Sequence, residues 1–170
     1  MEEARARSDR PPDAALERPP MKDPDLTAVK VLLVDDDEHM LLLLNTMLNR
    51  LGMRDVRRST GVAEAIKELQ HTPADIVVTD LHMSPLSGID LVREIRQGDS
   101  LGWRDIRILM ITGQPDLRHV EEAVRGGIDD FLVKPLSPET LHGRIVAVLK
   151  RREPRQHIEG GDRREPIPTA

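Results

Sequence analysis

The sequence predicts an α/β protein in which five strand–helix units in a row build a five-stranded parallel sheet with helices on both faces. Three observations lead there. Between residues 29 and 151, apolar runs of strand length alternate with stretches of helical period, the pattern of repeated βα units. Turn and cap residues punctuate the junctions between them. Finally, chemically active groups stand at the ends of the apolar runs: Asp35-Asp36 after VLLV, Asp80 after IVVT, Thr112 after ILMI and Lys134 after FLV. As parallel strands of one sheet, those runs would deliver all of these groups to a single carboxyl edge, where open α/β sheets hold their ligands.

Val29 to Val34 is the first predicted strand, and a helix from about Asp37 to Arg50 puts Met40, Leu44, Met47, Leu48 and Leu51 on one face before Gly52 ends it. A second strand, Asp55 to Arg58, is polar enough to sit at a sheet edge. Ser59 or Thr60 can cap the helix that follows, about Gly61 to Gln70, whose buried face is Val62, Ala65, Ile66 and Leu69. Pro73 precedes the third strand, Asp75 to Thr79, which leaves Asp80 at its tip. After a Ser- and Pro-rich turn, Ile89, Val92 and Ile95 share a helical face, and a looser segment through Trp103 leads to strand four, Ile106 to Ile111. Pro115 is expected in the first turn of the fourth helix and Gly126-Gly127 at its stop. Strand five is Asp130 to Val133. The last helix, from about Pro138 to Arg151, takes Ser137 as its cap and buries Leu141, Ile145, Val148 and Leu149.

The chain of 170 residues has room for one domain of ordinary size, at 29–151, flanked by tails at 1–28 and 152–170. The first tail carries five prolines among mixed charges, and the second carries Gly160-Gly161, Pro166 and Pro168 among scattered Arg and Glu. Neither can bury enough apolar surface to offset ordering entropy, so both are expected to be disordered. The core must be aliphatic, because Trp103 and Phe131 are the sole aromatics. Absence of cysteine excludes disulfides, thiolate catalysis and Cys-based metal sites, and suits a reducing cytoplasm. The longest apolar run, Met40 to Leu44, is too short to span a bilayer, so no membrane partner is expected. A net charge of -5 disfavours a nucleic-acid-binding core.

Clustered carboxylates repel one another, and a hard divalent cation with oxygen ligands relieves that repulsion. Magnesium takes one or two carboxylates together with phosphate oxygens, so the predicted edge asks for phosphate chemistry. The segments VLLVDDDEHM, DIVVTDLHMSPLSG, LMITG and FLVKPLS, in this order and spacing, resemble receiver domains of two-component response regulators over about residues 29 to 150.

That resemblance implies the flavodoxin-like strand order 2-1-3-4-5. It implies Asp80 as acceptor of a phosphoryl group from a histidine kinase or histidine phosphotransfer protein. Mg2+ would be held by Asp35, Asp36, Asp80 and the main-chain carbonyl of His82. Thr112 would hydrogen-bond the phosphoryl oxygens, Lys134 would pair with them, and Phe131 would be the aromatic switch that follows Thr112. It also implies a cis Lys134–Pro135 peptide. Two departures from the family pattern, Pro85 one place later than usual and Gly113 where alanine is common, point to an accessible site and a short-lived aspartyl phosphate. Output is expected through binding to another protein, since no DNA-binding or enzymatic domain follows; a relay intermediate that passes the phosphoryl group onward is the alternative.

Blander readings stand beside these. Asp37 and Glu38 are a solvated helix start. Phe131 can be core filler, and His82 a loop histidine. The Leu41–Leu44 run exceeds what one buried stripe needs, so Leu41 or Leu42 is expected to be free to dock a kinase or phosphotransfer helix. The Arg-rich KRREPR tail is a solvated end before it is a ligand site. A haloacid-dehalogenase-like phosphatase would use Asp35 with Asp37, Thr112 and Lys134, but it lacks its late acidic motif and leaves Asp80 idle.

Overall fold

The structure is a computed structural model, and it describes residues 23–98 and 103–151. Most of both tails and the segment 99–102 lie outside that range. Residues 23–28, assigned from the sequence to the first tail, contain a 3-10 turn at Leu26–Ala28 whose start is capped by Asp25, and Leu26 packs against the core.

Five parallel strands, β1 (Lys30–Val34), β2 (Asp55–Ser59), β3 (Ile76–Asp80), β4 (Arg107–Thr112) and β5 (Asp130–Val133), alternate with α1 (Glu38–Arg50), α2 (Val62–His71), α3 (Gly88–Gln97), α4 (Leu117–Gly126) and α5 (Pro138–Lys150). The sheet runs β2-β1-β3-β4-β5. Alternation along each strand divides the interior in two. Leu32, Val34, Val77, Ile108 and Met110 face α2, α3 and α4, whereas Val31, Leu33, Ile76, Val78, Leu109 and Ile111 face α1 and α5. Central strands bury both faces, which is why they read as unbroken aliphatic runs. Edge strand β2 is polar because it has neighbours on one side only.

Local chemistry differs from expectation at two helix starts. Neither Ser59 nor Thr60 caps α2: its N-cap is Gly61, and Glu64 reaches back to accept from the Thr60 amide and hydroxyl. Pro115 lies outside α4, whose N-cap is Asp116, with its carboxylate accepting from the Arg118 amide. An Asp side chain can satisfy an orphan amide and Pro cannot, so the cap falls on Asp116. Ser137 caps α5 as expected, and Gly127 closes α4 with a left-handed φ of 100° that a side chain would resist. On α1 the buried residues are Leu41, Leu44 and Leu48, with Met40, Met47 and Leu51 half-buried. Leu41 is therefore core, and the exposed leucines are Leu42 and Leu43. Among the described residues, no helix is long and apolar enough to cross a membrane.

Candidate functional site

Parallel register sets the level of each group at the carboxyl edge. Val34 lies opposite Thr79, so Asp35, just past the end of β1, comes level with Asp80, the last residue of β3. Asp80 is opposite Ile111, and Thr112 is opposite Val133, which brings Lys134 to the same rim.

Lys134 Nζ donates to Asp80 Oδ1 at 2.8 Å and stands 3.7 Å from Asp35 Oδ2. The other acceptor oxygen of Asp80, Oδ2, takes a hydrogen bond from the His82 amide at 2.8 Å. Both carboxylates are buried. Burial raises the Asp35 pKa above the ordinary carboxylate value, the Asp80 charge adds to that rise, and a hydrogen bond from the Asp37 amide opposes it. For Lys134, burial is the largest single influence and acts to lower its pKa. The hydrogen bond to Asp80 and the charges of Asp80 and Asp35 together outweigh it, so the ammonium is held above its ordinary value. The lysine thus stays cationic beside two acids.

Asp36 is exposed and turned across the rim, where its Oδ2 accepts from the Ser84 amide at 3.1 Å. The Thr112 hydroxyl is engaged within its own loop, donating to the Gln114 carbonyl at 3.0 Å and accepting from the Gln114 amide at 3.2 Å. Phe131 is half-buried against the α2–α4 side of the core. The His82 side chain is exposed and faces the ring of His119 on α4, while its amide serves Asp80. Lys134–Pro135 is cis, and so is Ser84–Pro85, which the sequence did not lead us to expect.

Among the described residues, no three His, Cys, Asp or Glu side chains are preassembled as a metal cage. The physical reason is visible: Lys134 Nζ occupies the space between Asp35 and Asp80, and Asp36 is tied to Ser84. The donor set nevertheless fits magnesium. Three carboxylates and a main-chain carbonyl are all hard oxygens, and one ammonium leaves their negative charge uncompensated.

Three contributors to the site were not singled out from the sequence. Gly88, at the start of α3, lies so close to the end of β3 that a Cβ there would fall 2.2 Å from the Asp80 carbonyl oxygen. Ser84 orients Asp36, and Gln114 holds Thr112. The glycine of SPLSG was a readable signal for a close approach. The other two act through main-chain atoms, which carry no residue-type signature.

A profile of the response regulator receiver domain matches residues 31–146. Chemotaxis protein CheY1 of Helicobacter pylori is 31% identical over 122 residues, which cover 71% of this chain and 97% of that protein. The probable transcriptional regulator ycf27 of Guillardia theta is 38% identical over 125 residues, covering 74% of this chain and 47% of its own length. Among solved structures, Vibrio cholerae chemotaxis protein CheY4 superposes with a TM-score of 0.66 at 28% identity, covering 71% of this chain and 98% of the other.

Proposed function

The chain belongs to the response regulator receiver domain family of two-component systems, and on that premise we propose that it takes a phosphoryl group onto Asp80 and signals through a phosphorylation-dependent protein-binding surface. The single observation that carries the assignment is the buried Asp80 carboxylate paired to Lys134 at 2.8 Å with Asp35 beside it. It also disfavours the phosphatase alternative, which gives Asp80 no task.

The donor in this reading is a phosphohistidine on a histidine kinase or a phosphotransfer protein. An Asp80 oxygen bonds to phosphorus as the donor's nitrogen–phosphorus bond breaks, and the leaving imidazole takes up a proton. Little covalent help is needed from the protein, because phosphoryl transfer is governed by positioning and charge. The His82 amide and Lys134 fix the two Asp80 oxygens before reaction. Asp35, Asp36, Asp80 and the His82 carbonyl would hold Mg2+, which when bound supplies positive charge to phosphoryl oxygens. Lys134 supplies the second cation, and opposite unit charges about 4 Å apart are worth roughly 4 kcal/mol at an effective dielectric near 20.

Thr112 then has a specific task. Its hydroxyl must exchange Gln114 for a phosphoryl oxygen, which draws the β4–α4 loop inward and leaves space for Phe131 to repack. The phosphoryl group, with about -1.5 to -2 charges and three acceptor oxygens, provides the pull. The protein is then a switch rather than an enzyme in the usual sense, although its own residues assist gain and loss of the phosphate. We read it as acting in the cytoplasm, in keeping with a sequence free of cysteine.

Gly113 supports an accessible, short-lived phosphate, since a Cβ there would reach only to ordinary contact, 3.9 Å from Lys134 Cδ. The test is incubation with a small phosphodonor and Mg2+, with the modified residue identified after chemical trapping of the acyl phosphate. Asp80 should carry the label, Asp80→Asn should abolish it, and the label should be short-lived. Labelling that survives Asp80→Asn would refute the assignment, and persistence over many hours would refute the open site.

A further inference from the structure

We propose that His82 and His119 form a two-imidazole site for a borderline transition-metal cation of the zinc, nickel or copper class, bridging the β3–α3 loop to α4. The two rings lie with centroids 5.6 Å apart and planes at 81°. His119 sits in the first turn of α4, and its Nδ1 is buried with no hydrogen-bond partner. His82 is exposed, so an ion meets that ring first, and it reaches the covered His119 nitrogen as the rings turn. Buried ring nitrogens are ordinarily satisfied, and an unpartnered one costs free energy that a Lewis acid could recover.

The separation is the quantitative part. With zinc–nitrogen bonds of about 2.0 Å, each imidazole centroid sits about 3.2 Å from the ion, and a tetrahedral angle places two such centroids roughly 5 Å apart. The observed separation is within about half an ångström of that figure. Coordination further requires each ring to turn so that one of its nitrogens faces the shared ion. Among the described residues no third Asp, Glu, His or Cys completes the set, so water would fill the other positions. Two imidazoles alone give modest affinity, and their softness selects against magnesium.

This site is chemically distinct from the oxygen pocket at Asp35, Asp36 and Asp80, and its existence does not depend on Asp80 being a phosphoacceptor. An ion held there would pin the loop that follows Asp80 directly to α4, in parallel with the route through Thr112.

The experiment is a titration of the full chain with Zn2+ against a chromogenic chelator, for the wild type and for His82→Ala, His119→Ala, His39→Ala and Asp80→Asn, each checked for folding by circular dichroism. Micromolar binding of one ion should be weakened about tenfold or more by either His82→Ala or His119→Ala, the scale on which lost metal contacts are felt, and kept by His39→Ala and Asp80→Asn. Wild-type binding no tighter than millimolar would overturn the proposal. So would binding unaffected by both histidine variants, or binding lost in Asp80→Asn but kept in them, which would move the ion to the oxygen pocket. If His119→Ala fails to fold, His119→Gln replaces it, and the same criterion applies.

Discussion

Asp35 shows how a residue can serve a site at the expense of its own fold. Its carboxyl is buried, has Asp80 as a like-charged neighbour, and is held above the ordinary pKa. The folded state thus binds this proton more tightly than the unfolded chain does. Its contribution to stability is complete below the unfolded value of about 3.9 and is lost as pH rises through the folded value. Once ionised, Asp35 is a net cost to the fold. Asp35→Asn, without magnesium, should be more stable than the wild type in urea unfolding at pH 7, with the difference closing toward pH 3. The same variant should bind Mg2+ more weakly, because it removes one of the charges that the cation would neutralise.

At the scale of elements, the site depends on how closely α3 approaches β3. Gly88 donates its amide to the Leu81 carbonyl at 3.0 Å, and a methyl group at this position would collide with the Asp80 carbonyl. Gly88→Ala should destabilise the domain by about 1–3 kcal/mol, the usual cost of overpacking, and should slow phosphorylation by displacing Asp80. Chemical denaturation and labelling rate measure the two effects separately. On α1, Leu42 and Leu43 are 56% and 47% exposed, whereas Leu41 is 3% exposed. Any docking by this run must use the exposed pair, so Leu42→Ser with Leu43→Ser is the variant expected to slow transfer from a phosphorylated partner while leaving labelling by a small phosphodonor unchanged. Leu41→Ser, by contrast, should unfold the domain or cost several kcal/mol, because it buries a hydroxyl in an aliphatic core.

The described residues form a sheet with two separate cores, and the candidate site lies where both meet the rim. Asp35 and Asp80 extend from strands packed on both sides, while Thr112 and Phe131 sit on strands whose helices, α4 and α5, lie on opposite faces. A switch of this kind is a population shift between two packings a few kcal/mol apart, biased by whatever binds one of them better. Any ligand of the folded state alone also stabilises it: Mg2+ at about 100 times its Kd should add about 2.7 kcal/mol. Thermal unfolding with Mg2+ and with a chelator should therefore differ by several degrees in the wild type. The difference should shrink in Asp36→Ala, and an undiminished shift there would remove Asp36 from the ligand set.

Much of this was legible in the sequence because its signals are periodic or positional. Four aliphatic runs and one short polar stretch marked the strands, with β5 at its observed bounds, and Ser137 marked the start of α5. Asp35, Asp36, Asp80, Thr112 and Lys134 stood out because each ends an apolar run. Helix starts were less readable where several capping residues lie in succession, as at Ser59-Thr60-Gly61, since the choice among them depends on where the preceding strand leaves the chain. Which leucine of the Leu41–Leu44 run faces the core also depends on the helix's rotation against the sheet. Contacts through main-chain atoms, such as Ser84 to Asp36 and Gln114 to Thr112, and the meeting of His82 with His119, depend on distances across folded loops. Periodicity specifies which elements form and which groups they carry to the rim. The packing of one element on another decides which of those groups touch.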